Sequence, residues 1–587
     1  MRLGLIRLSP KSSCHRISTP SACRRLAVLT CLTQTLSSSS WGSHAFALGP
    51  RLGACLGSCL PALRSNLQHR QGLKHSLHMR TMTDDYEELC KKLKKISHLE
   101  GTMGLLGWDE QTMMPAGAEG ARANQKAVLA GVLHEAKVDP AIGELLSSLE
   151  QKQEGLDEFQ RANIRECKTR YERSTRMSAE LASREAHLES TCYAAWVKAR
   201  ENSDFRSFVP MLKEMFDLRK EILTLTKPDM SLYDAAVDSF DPRMKMERLE
   251  VIFDEVKREL TPMIEAIKQR VAADPKLQEV HPALRGGADW ETGKQAEMCK
   301  EIAKAIGFDF ELGRMDVSVH PFTGGTHPTD VRITTRYSEG NWIEGVAGTI
   351  HECGHAMYEQ GRNKETSDLP VSEALGMATH ESQSLLWERM VGQSLSFWKW
   401  ATPIMHRYFP HTKECTAEDF YKAVNIVQPS LIRVDADEVT YPLHVVLRFE
   451  IERDLMQGKL DVSDLSRVWN DKMTSYLGVC PPSDREGVLQ DVHWSSGAIG
   501  YFPSYSLGAM MATQLFRQAK KEISNLEEKI EQGNFVELKQ WLNRNVHEKG
   551  SLYPNADTLL EAVTGEPLQP SYFIDYLKGK YQPLYGF

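Results

Sequence analysis

At 587 residues, 41% hydrophobic and 26% charged, the chain has the composition of an ordinary globular protein, with length enough for a large core or several domains. Its net charge of −8 conceals a split: residues 1–82 hold nine Arg, two Lys and no acid, leaving 60 basic against 79 acidic residues, a net −19, in the remainder. An acidic body excludes nucleic acid as the main partner, and no apolar run reaches the roughly eighteen residues of a membrane-spanning helix.

The Arg- and Ser-rich, acid-free segment 1–82 reads as a targeting presequence for import into a mitochondrion or plastid. Arg24-Arg25 before the apolar residues 26–32, and a signal-type Ala45-Phe46-Ala47, fit a signal peptide followed by a transit peptide. The competing reading is a start of translation at Met79 or Met82 and a cytoplasmic protein. Seven cysteines beyond this segment (90, 167, 192, 299, 353, 415 and 480) are odd in number and unpaired in spacing, which predicts free thiols in a reducing compartment.

From Asp84 onward helical periodicity dominates, beginning with Tyr86, Leu89, Leu93, Ile96 and Leu99. Further helical stretches are predicted around 118–150, 156–200, 205–226 and 245–273, followed by a Pro/Gly-containing loop at 274–294. Residues 316–320 and 330–337, with Gly324-Gly325 between them as the turn, read as a short hairpin. Its edge offers main-chain hydrogen bonds to a peptide, or else the hairpin is a small structural sheet. Helices follow over the His351 region, over 372–388, after Pro442, and near 508–532 and 534–545. The fold class predicted is mainly α, with a small β element before the His351 helix.

His351-Glu352-Cys353-Gly354-His355 carries the chemistry. Two histidines four apart share one helical face, so both imidazoles reach one metal ion, and Glu352 beside them is placed to take a proton from the attacking water. A catalytic zinc needs a third protein ligand and an open position. No third histidine follows at close range, but the helix 372–388 has apolar positions at 375, 378, 385 and 386 with Glu381 near its middle. A carboxylate there is costly to bury unless paired or metal-bound, so Glu381 is the predicted third ligand. Glu373 and Glu388 lie near the predicted helix ends, where solvated acids are ordinary. Cys353 faces away from His351 and is assigned to packing.

Taken with His380-Glu381-Ser382-Gln383, this motif resembles the metallocarboxypeptidases of the carboxypeptidase Taq type, peptidase family M32. Further matching stretches are His320-Pro321-Phe322, Asp330-Val331-Arg332-Ile333-Thr334, Ile432-Arg433-Val434-Asp435-Ala436-Asp437-Glu438 and Gly487-Val488-Leu489-Gln490-Asp491-Val492-His493-Trp494. Trp108-Asp109-Glu110-Gln111 looks like the family's N-terminal signature, and the resemblance runs from about residue 84 to the end. It implies one metallocarboxypeptidase domain over 83–587 with a deep groove and a homodimeric state. It also implies one zinc ion per chain, for which cobalt substitutes, and peptide substrates with a free C-terminus. By the same resemblance His493 and Tyr505 serve the scissile carbonyl and its oxyanion, with Tyr501 as the second choice. Arg433, its stem beside Leu431-Ile432, is the predicted reader of the terminal carboxylate, because a guanidinium fork matches two oxygens. His320, Asp330 and Arg332 are candidate groove walls. Two other readings remain: an oligopeptidase or dipeptidyl carboxypeptidase of related fold, and an inactive helical scaffold, which would have no need of Glu352.

Overall fold

The computed structural model describes residues 82–151 and 154–587, so the predicted presequence, apart from Met82, lies outside the described residues. The N-terminal part holds α1 (Met82–Thr112), α2 (Glu119–Lys137), α3 (Pro140–Glu150), α4 (Glu158–Arg176), α5 (Ala179–Asn202), α6 (Phe205–Thr226), α7 (Leu232–Val237) and α8 (Met246–Ala273). Two stretches expected as continuous helices are each split, for a local reason. Asp139 accepts from the Ala141 N–H (3.0 Å) with Pro140 behind it, and Ser178 accepts from the Leu181 N–H (3.1 Å), so each starts a new helix.

After the predicted loop come α9 (Thr292–Ile306) and a three-stranded sheet of β1 (Gly313–Val317), β2 (Phe322–His327) and β3 (Asp330–Thr335), in the order β1-β3-β2. This corrects the hairpin. Gly324-Gly325 sits inside β2, which pairs antiparallel with β3, while β1 pairs with β3 in parallel. The glycines serve close approach rather than a turn. A Cβ at Gly104 in α1 would stand 2.7 Å from the Gly325 carbonyl oxygen, and one at Gly101 would stand 2.6 Å from that of Thr326. Of the two strands expected to offer an edge to a peptide, β3 is paired on both sides, and it is β2 that α1 approaches at these residues.

The remaining elements are α10 (Trp342–Gln360), α11 (Met377–Leu385) running on as a π-helical stretch over Leu386–Gly392, α12 (Leu395–Tyr408), α13 (Ala417–Val424), α14 (Tyr441–Met456), α15 (Leu465–Leu477), α16 (Pro503–Glu522), α17 (Leu526–Glu531), α18 (Val536–Asn545), α19 (Ala556–Thr564) and α20 (Pro570–Tyr585). The predicted C-terminal pair thus becomes three helices, with two more after them. The helix expected from 372 begins instead at Met377, where the buried Asp241 accepts from the Ala378 N–H (2.7 Å). One core runs through most of the chain, and a smaller cluster of Leu89, Leu93, Ile142, Leu149 and Ile164 joins α1, α3 and α4. All seven cysteines of the described residues are free, as expected. No helix among the described residues is long and apolar enough to cross a membrane.

Candidate active site

α10 and α11 bring His351, His355 and Glu381 together, with one donor atom from each lying within 4.8 Å of the others. The helices meet this closely because of two glycines. A Cβ at Gly354 would stand 2.5 Å from the Gln383 carbonyl oxygen, and one at Gly508 of α16 would stand 2.8 Å from Cβ and Cγ of Glu381. His355 Nε2 lies 3.4 Å from Glu381 Oε2. The other ring nitrogens are engaged from behind. His351 Nδ1 donates to Glu388 Oε2 (2.7 Å), and His355 Nδ1 lies 2.6 Å from His380 Nδ1, whose Nε2 donates to Glu359 Oε1 (3.0 Å). The tautomers that satisfy this network leave the Nε2 lone pairs of both histidines for a metal ion. Two imidazole nitrogens and a carboxylate oxygen, each oriented, fit a tetrahedral ion with one position open.

The charges agree with that use. Burial opposes charge on His351, but Glu388, Glu381 and Glu352 outweigh it and hold its pKa up at about 10, so a metal ion would displace a proton there. Burial works to raise Glu381, yet the His355 hydrogen bond and the His351 charge bring it down to about 2. Glu352 is buried beside them, and burial pushes its carboxyl up. Thr323 of β2 donates its hydroxyl to Glu352 Oε2 at 2.6 Å, so the β-sheet aims this carboxylate. Cys353 is fully buried on the core side, as the helical spacing predicts.

A second set of residues comes from farther along the chain. Arg433 is 5% exposed, in a 3₁₀ turn over Arg433–Asp435. Its Nε donates to Asp491 Oδ1 (3.0 Å) and its Nη1 to the Tyr441 hydroxyl (2.6 Å), and its Cζ lies 4.8 Å from the Tyr505 ring centroid. Its partner is Asp491, rather than the adjacent Asp435 or Asp437. Burial would raise Asp491, but Arg448 and Arg433 hold it well below the usual carboxylate range. His493 Nε2 is 3.1 Å from the Tyr505 hydroxyl, and Phe502 lies against the imidazole with centroids 4.3 Å apart. Burial, with Arg433 nearby, lowers His493 to about 3, so the ring is neutral at physiological pH. Tyr501, the second choice, sits edge-on against Phe240 at 5.0 Å.

The sequence profile of the carboxypeptidase Taq (M32) metallopeptidases matches residues 88–581. This chain belongs to that family. It is 38% identical over 512 residues to thermostable carboxypeptidase 1 of Thermus thermophilus, covering 85% of this chain and 99% of that protein. The structure of the M32 carboxypeptidase from Deinococcus radiodurans superimposes with a TM-score of 0.82 at 34% identity, covering 86% of this chain and all of the other. Metallocarboxypeptidase 1 of Trypanosoma cruzi gives 0.82 at 36% identity with the same coverage. The protein is thus an M32 metallocarboxypeptidase, a hydrolase that works with a metal ion.

Around this M32 centre the remaining predicted residues are placed unequally. Asp330 and Arg332 are engaged with each other in a two-pronged pair (2.7 and 2.9 Å), with Arg332 over Trp108 of α1 at 5.9 Å. His320 is exposed on the β1–β2 connection. Three residues near the centre, Glu359, Thr323 and Tyr441, escaped sequence reasoning, and a fourth, Glu388, was given the wrong role. Glu359 is four residues beyond His355 and Glu388 seven beyond Glu381, so helical spacing carried a signal for both. Thr323 gave none, because its partner Glu352 is 29 residues away, and Tyr441 gave none, because the chain between it and Arg433 follows no single helical or strand period. Glu388, read as a solvated acid, is instead the carboxylate that orients His351.

Proposed function

We propose that this M32 enzyme is a zinc-dependent carboxypeptidase of broad specificity that removes single residues from peptides with a free C-terminus. The observation that carries this reading is the buried Arg433, held beside Tyr505 while its Nη2 makes none of the hydrogen bonds above. A guanidinium so placed has a use for a terminal carboxylate, and its proximity to the catalytic groups limits how much peptide fits beyond the scissile bond. Two imidazoles and a carboxylate suit zinc, and cobalt also accepts such a set.

His351, His355 and Glu381 would hold the ion, which when bound supplies Lewis-acid polarisation of the scissile carbonyl and favours proton loss from the attacking water. Glu352, its carboxyl raised by burial, takes that proton and delivers it to the departing amine. Tyr505, with His493 hydrogen-bonded behind it, donates toward the carbonyl oxygen as negative charge develops. A neutral His493 that donates from Nε2 lets the phenol donate in turn. Arg433 binds the terminal carboxylate and so brings the last peptide bond to Glu352. His320 and the Asp330–Arg332 pair form outer walls of the groove.

The test is product analysis. Metal-loaded protein containing about one zinc per chain should release single C-terminal residues as a mass-spectrometric ladder, and a chelator should stop this until zinc or cobalt is restored. Release of dipeptides, or full activity after proven metal removal, would contradict the reading. The homodimer and organellar import are proposed on the family resemblance and on residues 1–82. Light scattering checks the first. N-terminal sequencing of the protein from its own cell checks the second, with an intact Met1 refuting cleavage.

A further inference from the structure

His493 sits on a single 3₁₀ turn, His493–Ser496, between loops, yet the Tyr505 contact needs that imidazole fixed to within about 0.5 Å. What fixes it is one face of α14, a helix that contributes neither a metal ligand nor, in the reading above, a catalytic group, and whose first residue, Tyr441, accepts from Arg433. Arg448 and Glu452 stand four residues apart on that face, and both are fully buried. Arg448 donates from Nε to Asp491 Oδ2 (2.7 Å) and from Nη2 to Gln490 Oε1 (2.8 Å). The same two side chains hold Arg433, through its Nε to Asp491 Oδ1 and its backbone N–H to Gln490 Oε1 (2.8 Å).

Glu452 takes the other side. Its Oε1 accepts from Trp494 Nε1 (2.8 Å), and its Oε2 accepts from the Gly500 N–H (3.0 Å) and from the Tyr233 hydroxyl (3.2 Å). Trp494 directly follows His493, and Gly500 opens the run Tyr501-Phe502-Pro503-Ser504-Tyr505. One carboxylate thus fastens the loop just after His493 and again just before the segment that carries Tyr505. Gly500 has no freedom to drift, since a Cβ there would stand 2.7 Å from the Ala236 backbone and its φ is +90°.

We propose that Glu452 is a positioning residue for catalysis, setting the His493–Tyr505 contact, while Arg448 on the same helix face sets Arg433. The proposal rests on the role given above to His493. A buried carboxylate with three donors holds its geometry more tightly than any one of those bonds would, because moving the loop leaves several buried groups unpaired together.

Replacement of Glu452 by Gln keeps the shape but turns one acceptor into a donor facing Trp494 Nε1–H or the Gly500 N–H. Glu452→Gln should lower kcat about 10-fold or more, leave KM for a free-acid peptide within about 2-fold, and leave metal content unchanged. Trp494→Phe, which keeps an aromatic ring while removing the indole donor and part of the ring's volume, should show the same pattern at about 3-fold, and it serves if Glu452→Gln folds poorly. The deciding measurement is a cycle with His493→Ala. On that background Glu452→Gln should cost less than about 2-fold further in kcat, because the group it positions is gone. A merely structural Glu452 would cost the same factor on both backgrounds, and that result, or a folded Glu452→Gln with normal kcat, overturns the proposal. A His493→Ala enzyme with normal kcat would instead overturn the assignment of His493, and the positioning claim with it.

Discussion

The metal-holding side of the site and its substrate-reading side are built in opposite ways. The first comes from two successive helices, with His351, Glu352 and His355 on one turn of α10 and Glu381 and Glu388 on α11 and its π-helical extension. The second is assembled from Arg433 and His493 on short 3₁₀ turns, Asp491 in the loop just before His493 and Tyr505 at the start of α16, spread over about seventy residues and referred to the buried helix α14. A helix places its side chains by backbone geometry alone, so the metal side needs few supports: Glu388, His380 and two glycines. A loop has no such frame, and the substrate side is accordingly dense in buried charge, with Asp491 shared by Arg433 and Arg448 and Glu452 accepting three bonds.

That contrast predicts different modes of failure. The largest effects belong to the metal side. Glu352→Gln should lose about three or more orders of magnitude in kcat while keeping the metal, because an amide cannot take a proton from water. Metal analysis beside turnover checks this, and near-normal turnover would remove Glu352 from its role. Glu381→Ala should lose the metal itself, with activity returning only at high added zinc. Glu388→Gln should be milder, with about 10- to 100-fold weaker metal affinity measured by competition with a chelator, since it orients His351 without touching the ion.

Smaller again is a pH effect on stability. Burial, with Lys539 and His380 nearby, lowers His547 to about 3. The unfolded chain takes up a proton near pH 6.5 that the folded chain refuses, so this group's contribution is full above that pH and falls as the pH drops toward 3. The urea midpoint should therefore decline between pH 7 and 5, and less steeply in His547→Gln. Equal slopes would show that other groups dominate the acid limb.

The same contrast explains what could be read from the sequence. His351, His355 and Glu381 were legible because helical spacing converts sequence positions into directions. Glu388 was misread because a presumed helix end suggested solvent, whereas a π-helical stretch continues there and keeps the carboxylate against His351. The hairpin was misread because Gly324-Gly325 resembles a turn, when its real use is to let α1 lie against β2. Arg433 was identified from chemistry and family resemblance. Its partner Asp491 and the α14 face behind it could not be, since they depend on contacts across 42 to 58 residues of chain that no local pattern encodes.

The central claim is that Arg433 makes this metallopeptidase a reader of chain ends, and one experiment meets it directly. kcat/KM is measured for a peptide with a free C-terminal carboxylate and for the same peptide amidated, in the wild type and in Arg433→Met, with metal content determined for both proteins. A charge-assisted guanidinium contact in a partly dry groove is worth about 2–5 kcal/mol, so Arg433→Met should cut kcat/KM on the free acid by roughly 30-fold or more. The amide should be a poor substrate for the wild type and should change little on mutation. Equal losses on acid and amide, or no loss on either with metal intact, would contradict the account and place the carboxylate reader elsewhere, with Arg332 next to be tested.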